Sequence, residues 1–110
     1  MNLDGASISH RNVTETQLRE AFRCPGAYGE FIILKRDGQH YMQAAGEGDD
    51  DEPCILEYRE GDNEHHFCAA GEYTKAQVEQ AFVWYLNNDN RWRTEYPWEK
   101  QEIKPWWKFW

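Results

Sequence analysis

The stretch Phe31-Ile-Ile-Leu-Lys-Arg-Asp-Gly-Gln-His-Tyr-Met-Gln-Ala-Ala45 decides the fold. Its first four residues are an apolar, partly β-branched run. Asp37-Gly38 follows, and His40-Tyr-Met-Gln-Ala-Ala45 returns. Asp-Gly between two strand-like runs is a strong hairpin signal. The pattern recurs downstream: Cys54-Ile-Leu-Glu-Tyr-Arg59 leads into Gly61-Asp62-Asn63, and Glu64-His-His-Phe-Cys-Ala69 comes back. Alternation puts Cys54, Leu56 and Tyr58 on one face. Two hairpins in succession predict a four-stranded antiparallel meander.

Helical signals flank these hairpins. Val13-Thr-Glu-Thr-Gln-Leu-Arg-Glu-Ala-Phe22 and Tyr73-Thr-Lys-Ala-Gln-Val-Glu-Gln-Ala-Phe82 share one arrangement. Each has Thr at an N-cap with Gln three residues later, which is a capping box. Each also has an apolar pair suited to a hydrophobic staple, Val13/Leu18 and Tyr73/Val78. Shared capping chemistry explains the likeness without duplication. Helices should therefore start near residues 15 and 75. In the second, Val78, Ala81, Phe82, Tyr85 and Leu86 form one buried stripe, and Trp84 lies off it. It should end in Asn87-Asn88-Asp89-Asn90. In the first, Leu18, Ala21 and Phe22 face inward, and Cys24-Pro25-Gly26 stops it. The expected architecture is α+β, four strands packed on two helices in the order α-β-β-β-β-α. A fifth strand is expected at 95–103, where Pro97 restricts it to a sheet edge.

The chain has 110 residues, the length of a single domain, with 104–110 as a separate aromatic tail. Twelve Lys and Arg oppose 20 Asp and Glu, for a net charge of −8. This balance argues against general nucleic-acid binding, which needs clustered cations. No run of about 18 apolar residues is present. Met1 to His10 carries no apolar signal core, so a cytoplasmic location is expected. Three widely spaced cysteines, Cys24, Cys54 and Cys68, read as free thiols in a reducing compartment. Neither a glycine-rich phosphate loop nor an HExxH or GxSxG pattern occurs.

Three constellations remain. Glu47, Asp49, Asp50, Asp51, Glu52, Glu57, Glu60, Asp62 and Glu64 are opposed only by Arg59. They read either as a solvated surface or as one that faces a basic partner. Asp49-Asp50-Asp51-Glu52-Pro53-Cys54 lacks the EF-hand glycine, which makes a poor calcium loop. His65, His66 and Cys68 form the second group. On a strand, His66 and Cys68 share a face while His65 points away, so they make a poor zinc site and an incomplete nucleophile pair. The third is aromatic: residues 84–110 hold all six tryptophans. Trp92 and Trp98 join the partner-binding candidates, since Trp anchors many interfaces. Trp106, Trp107 and Trp110 read as a strap across the domain or as a homodimer contact. A membrane-interface role fits poorly with the net charge.

The order of Phe31-Ile-Ile-Leu34, Tyr41-Met-Gln-Ala44 and Leu56-Glu-Tyr-Arg-Glu-Gly61 continues with Ala81-Phe82, Tyr85-Leu86 and Asp89. Trp92-Arg93 and Trp98-Glu99 complete it. Over residues 15–100 this order resembles small acidic bacterial immunity proteins encoded beside polymorphic toxins, the first numbered immunity family being the nearest. The resemblance implies an α+β domain that neutralises a toxin by binding it. It implies no catalytic residue, since occlusion needs none. The expectation is a non-enzymatic protein-binding module without cofactor or metal, whose partner is a basic toxin. The binding residues would be Asp49, Asp50, Asp51, Glu52, Glu57, Glu60, Asp62, Trp92 and Trp98. The alternative is a small structural or homodimerising domain that uses its Trp-rich C-terminus.

Overall fold

A computed structural model describes residues 1–5, 8–23, 31–45 and 55–100. The strands are β1 (Asn2–Gly5), β2 (Ser9–His10), β3 (Phe31–Asp37), β4 (His40–Ala45), β5 (Ile55–Glu60), β6 (His66–Ala69) and β7 (Trp98–Lys100). They form one antiparallel sheet in the spatial order β2-β1-β3-β4-β5-β6-β7. The helices are α1 (Glu15–Arg23), α2 (Lys75–Leu86) and the short α3 (Arg91–Glu95). The class is α+β, with strands packed against helices.

The expected meander is the centre of this sheet, with β3 through β6 in sequential order. The strand count differs from expectation, and so does the order, because β1 and β2 precede α1. Asn2-Leu-Asp-Gly is too short and polar to show a strand period. Its one apolar side chain, Leu3, is nevertheless fully buried, and its backbone pairs with β3 from Asn2↔Lys35 to Gly5↔Ile32. The backbone N–H of Val13 donates to the Met1 carbonyl at 2.8 Å, which docks the start of α1 onto this ribbon. Pairing with a neighbour, not local propensity, makes β1 a strand. At the other edge β7 pairs only with β6, where Pro97 just before it costs no ladder bond.

Two stretches depart from their expected conformation: Glu95, expected in the edge strand, ends α3, so that β7 spans Trp98–Lys100, and the return of the second hairpin starts late. Residues 63–65 form a 3-10 turn, and β6 begins at His66. The Asp62 carboxylate accepts from the backbone N–H of Glu64 at 2.9 Å and of His65 at 3.1 Å. Those donors are thereby withdrawn from the ladder, and the chain coils before it returns. Gly61 enters this turn at φ +102, a conformation that favours glycine.

Both capping boxes form. Gln17 N–H donates to Thr14 Oγ1 at 3.2 Å while Thr14 N–H donates to Gln17 Oε1 at 3.0 Å. Thr74 and Gln77 make the same exchange at 3.2 and 2.8 Å. The inward residues of α1 are the expected Leu18, Ala21 and Phe22. On α2, Val78, Ala81, Phe82 and Tyr85 are buried, joined by Val83, while Leu86 is half-buried. Phe22 meets Phe82 edge to face, with ring centroids 5.3 Å apart, so the two helices share one core. That core continues over one sheet face through Leu3, Ile32, Leu34, Met42, Ala44, Leu56, Tyr58 and Ala69. Trp84 is partly buried, and the guanidinium of Arg91 lies 5.4 Å from the centre of its ring.

Candidate functional site

Strand register defines the sheet face opposite this core. Phe31 lies opposite Ala45, and Ala45 opposite Ile55, so three apolar side chains form a row across β3, β4 and β5. Phe31 is 44% exposed and Ile55 50%. The next row along this face runs Asp4, Ile33, Gln43, Glu57, Cys68, Glu99. Beyond it come Asn2, Lys35, Tyr41, Arg59 and His66.

The last two rows hold a polar chain. Gln43 Nε2 donates to Glu57 Oε2 at 2.6 Å, and His66 Nε2 lies 3.0 Å from the same oxygen. Arg59 Nε donates to His66 Nδ1 at 3.3 Å, and its guanidinium lies 5.5 Å from the centre of the Tyr41 ring. Arginine can only donate. Nδ1 of His66 is therefore an acceptor, and Nε2 carries the proton given to Glu57. This neutral tautomer satisfies an imidazole that is only 6% exposed. Cys68 sits beside the chain with its thiol 3.6 Å from the Ala69 carbonyl. Burial pushes that thiol up, and the carboxylates of Glu57 and Glu99 add to the effect, so thiolate is scarce at neutral pH. His65 stands apart on the Asp62 turn, its Nδ1 2.7 Å from the Asp62 carboxylate. Among the described residues no three His, Cys, Asp or Glu side chains gather in a way that could hold a metal ion.

The residues singled out from sequence occupy different places. Glu57 lies on the open face, engaged with Gln43 and His66. Glu60 pairs with His40 in register, which puts it on the helix side, where it forks onto the Arg93 guanidinium. Arg93 holds the Glu60 carboxyl below its ordinary range. Asp62 caps the 3-10 turn, and its hydrogen bond with His65 lowers its carboxyl. Trp92 belongs to the core at 3% exposure. Trp98 packs against that core, edge to face with Tyr58 at 4.7 Å. Asp49, Asp50, Asp51, Glu52, Cys24, Cys54, Trp106, Trp107 and Trp110 lie outside the described residues.

Sequence reading missed the exposed Phe31–Ala45–Ile55 row and the partners of His66. Both follow from register. The two turns relate Phe31 to Ala45 and Arg59 to His66, but the Ala45–Ile55 pair joins β4 to β5 and is set by neither turn.

The fold defines an α+β protein with helices on one face of a seven-stranded sheet and a mixed apolar and polar array on the other. No family model matches the chain, and no curated protein or solved structure matches it either. Among the described residues, no helix is long and apolar enough to cross a membrane.

Proposed function

We propose that this chain is a non-enzymatic protein-binding module of the immunity type, which neutralises a basic toxin by covering it. The observation that carries the reading is the exposed row Phe31, Ala45 and Ile55 in a chain of net charge −8. The segment joining Ala45 to Ile55 in sequence contains Glu47, Asp49, Asp50, Asp51 and Glu52. An apolar row on a strongly acidic chain suits a basic protein partner: burial supplies affinity, and charge speeds encounter. The polar chain from Gln43 to Tyr41 is satisfied internally, which suits a rigid recognition surface better than chemistry.

The test uses the full chain as bait at low and at high salt, with two variants beside it. Ile55→Lys places a charge on a half-exposed site, and Asp49→Lys/Asp50→Lys/Asp51→Lys reverses the acidic run. The expected result is one basic protein that is retained at low salt and weakened at high salt, and that both variants lose. That protein should halt growth when expressed alone and spare the cells when this chain is co-expressed. Equal retention by both variants, or a captured protein whose expression is harmless, would overturn the reading.

A further inference from the structure

The helix side of the sheet holds a separate feature, at the end where β3 turns into β4 and α2 runs into α3. A cleft of about 250 Å³ opens there. Arg36, Arg59, Arg93, Tyr58, Tyr85 and Glu60 all border it. The guanidiniums of Arg36 and Arg93 against the single carboxylate of Glu60 leave the cleft net positive in a strongly acidic protein.

The pairing makes this excess sharper. Acids outnumber bases 20 to 12 in the chain, so an arginine has no shortage of carboxylates. Arg93 has one, in Glu60. Arg36 has none among the described residues. Arg36 donates through Nη2 to Asn88 Oδ1 at 2.5 Å and lies 5.4 Å from the Tyr85 ring centre. Arg59 borders the cleft along its strand, while its guanidinium is turned to the other sheet face, onto His66 and the Tyr41 ring. Neutral acceptors and ring faces orient a guanidinium while leaving its charge uncompensated. Among the described residues, the one hydrogen bond from the Arg36 side chain goes to Asn88.

Two phenols add to this. Tyr58 is 7% exposed and Tyr85 6%. A hydroxyl on so deeply buried a ring normally finds a partner. Neither hydroxyl has one among the described residues, and neither is sealed from solvent. Both rings border the cleft, so both O–H groups open into it. Burial raises both phenols, which keeps them protonated and able to donate.

We infer that this cleft is a binding site for a small oxyanion, the phosphate or carboxylate group of a small molecule, with Arg36 supplying charge and Tyr58 and Tyr85 supplying hydrogen bonds. A volume of about 250 Å³ equals roughly eight waters at about 30 Å³ each, which limits the ligand to a compact one. The inference does not depend on the protein-binding reading, because the cleft lies on the opposite side of the sheet from Phe31 and Ile55.

The test is a titration of the full chain followed by amide NMR. One arm uses inorganic phosphate and the other succinate, each against sodium chloride at matched ionic strength. The expected result is saturable shifts confined to residues 36–40, 58–60 and 88–93. The arm that saturates identifies phosphate or carboxylate as the source. Arg36→Gln, at an exposed side chain, should weaken binding about tenfold, as loss of a charge-assisted bond does. Tyr85→Phe, which keeps the ring, should weaken it about fivefold. Shifts that chloride reproduces in both arms would overturn the inference. So would saturable binding that neither variant alters.

Discussion

Trp98 donates its indole N–H to the backbone carbonyl of Trp92 at 2.9 Å, tying the edge strand β7 to α3. The two rings also meet edge to face at 5.8 Å, and each approaches Tyr58 of β5 to 4.7 Å. A helix of five residues has almost no stability of its own, so α3 persists because Trp92 is buried. Trp92→Ala should therefore cost about 3–5 kcal/mol of stability. Trp98→Phe keeps a ring and loses one hydrogen bond, which should cost about 1 kcal/mol. Denaturant unfolding of both variants checks this, and equal losses would remove Trp92 as the anchor.

The caps should matter similarly for the two helices. Thr14→Ala and Thr74→Ala each remove a side-chain acceptor and open a capping box, at about 1 kcal/mol apiece. Thr74→Ser should recover most of its loss, because serine offers the same oxygen. If Thr74→Ser is as unstable as Thr74→Ala, the methyl group and not the cap is responsible.

Glu60 and Arg93 should make stability depend on pH in one direction. The hydrogen bond and charge of Arg93 depress the Glu60 carboxyl in the folded chain. A depressed acid stabilises the fold above its unfolded value, about 4.3, and loses that contribution as pH falls through the lower folded value. Both side chains are over a third exposed, so solvent screening limits the effect to about 1 kcal/mol. Wild type should exceed Glu60→Gln by that amount near neutrality, with the gap closing below about pH 4. A gap that widens on acidification would contradict this.

His66 should hold its proton on Nε2 when neutral, because Arg59 occupies Nδ1. Long-range nitrogen–proton NMR correlations at mildly alkaline pH report the tautomer directly. Arg59→Met removes the donor and should allow the other tautomer to appear. A wild-type Nδ1–H imidazole would break the proposed chain to Glu57.

The amino-acid pattern alone specified the α+β class, the central hairpins and both helix starts, because these rest on local chemistry. Asp37-Gly38 turns a hairpin wherever strands flank it. Thr14/Gln17 and Thr74/Gln77 cap helices through neighbours three residues apart. The edge position of β7 was equally legible, since Pro97 lacks a backbone donor. β1 was not, because Asn2-Leu-Asp-Gly becomes a strand only by pairing with β3, some thirty residues away. Asp62 looked like a surface carboxylate, but it coils the chain by capturing two backbone donors. Trp92 looked like an interface anchor, but it lies in the core, because Tyr58 and Tyr85 come from distant segments to meet it. The cleft and the exposed Phe31–Ala45–Ile55 row belong to the tertiary structure alone. Both are made by register and helix placement, which bring together residues that sequence spacing leaves unrelated.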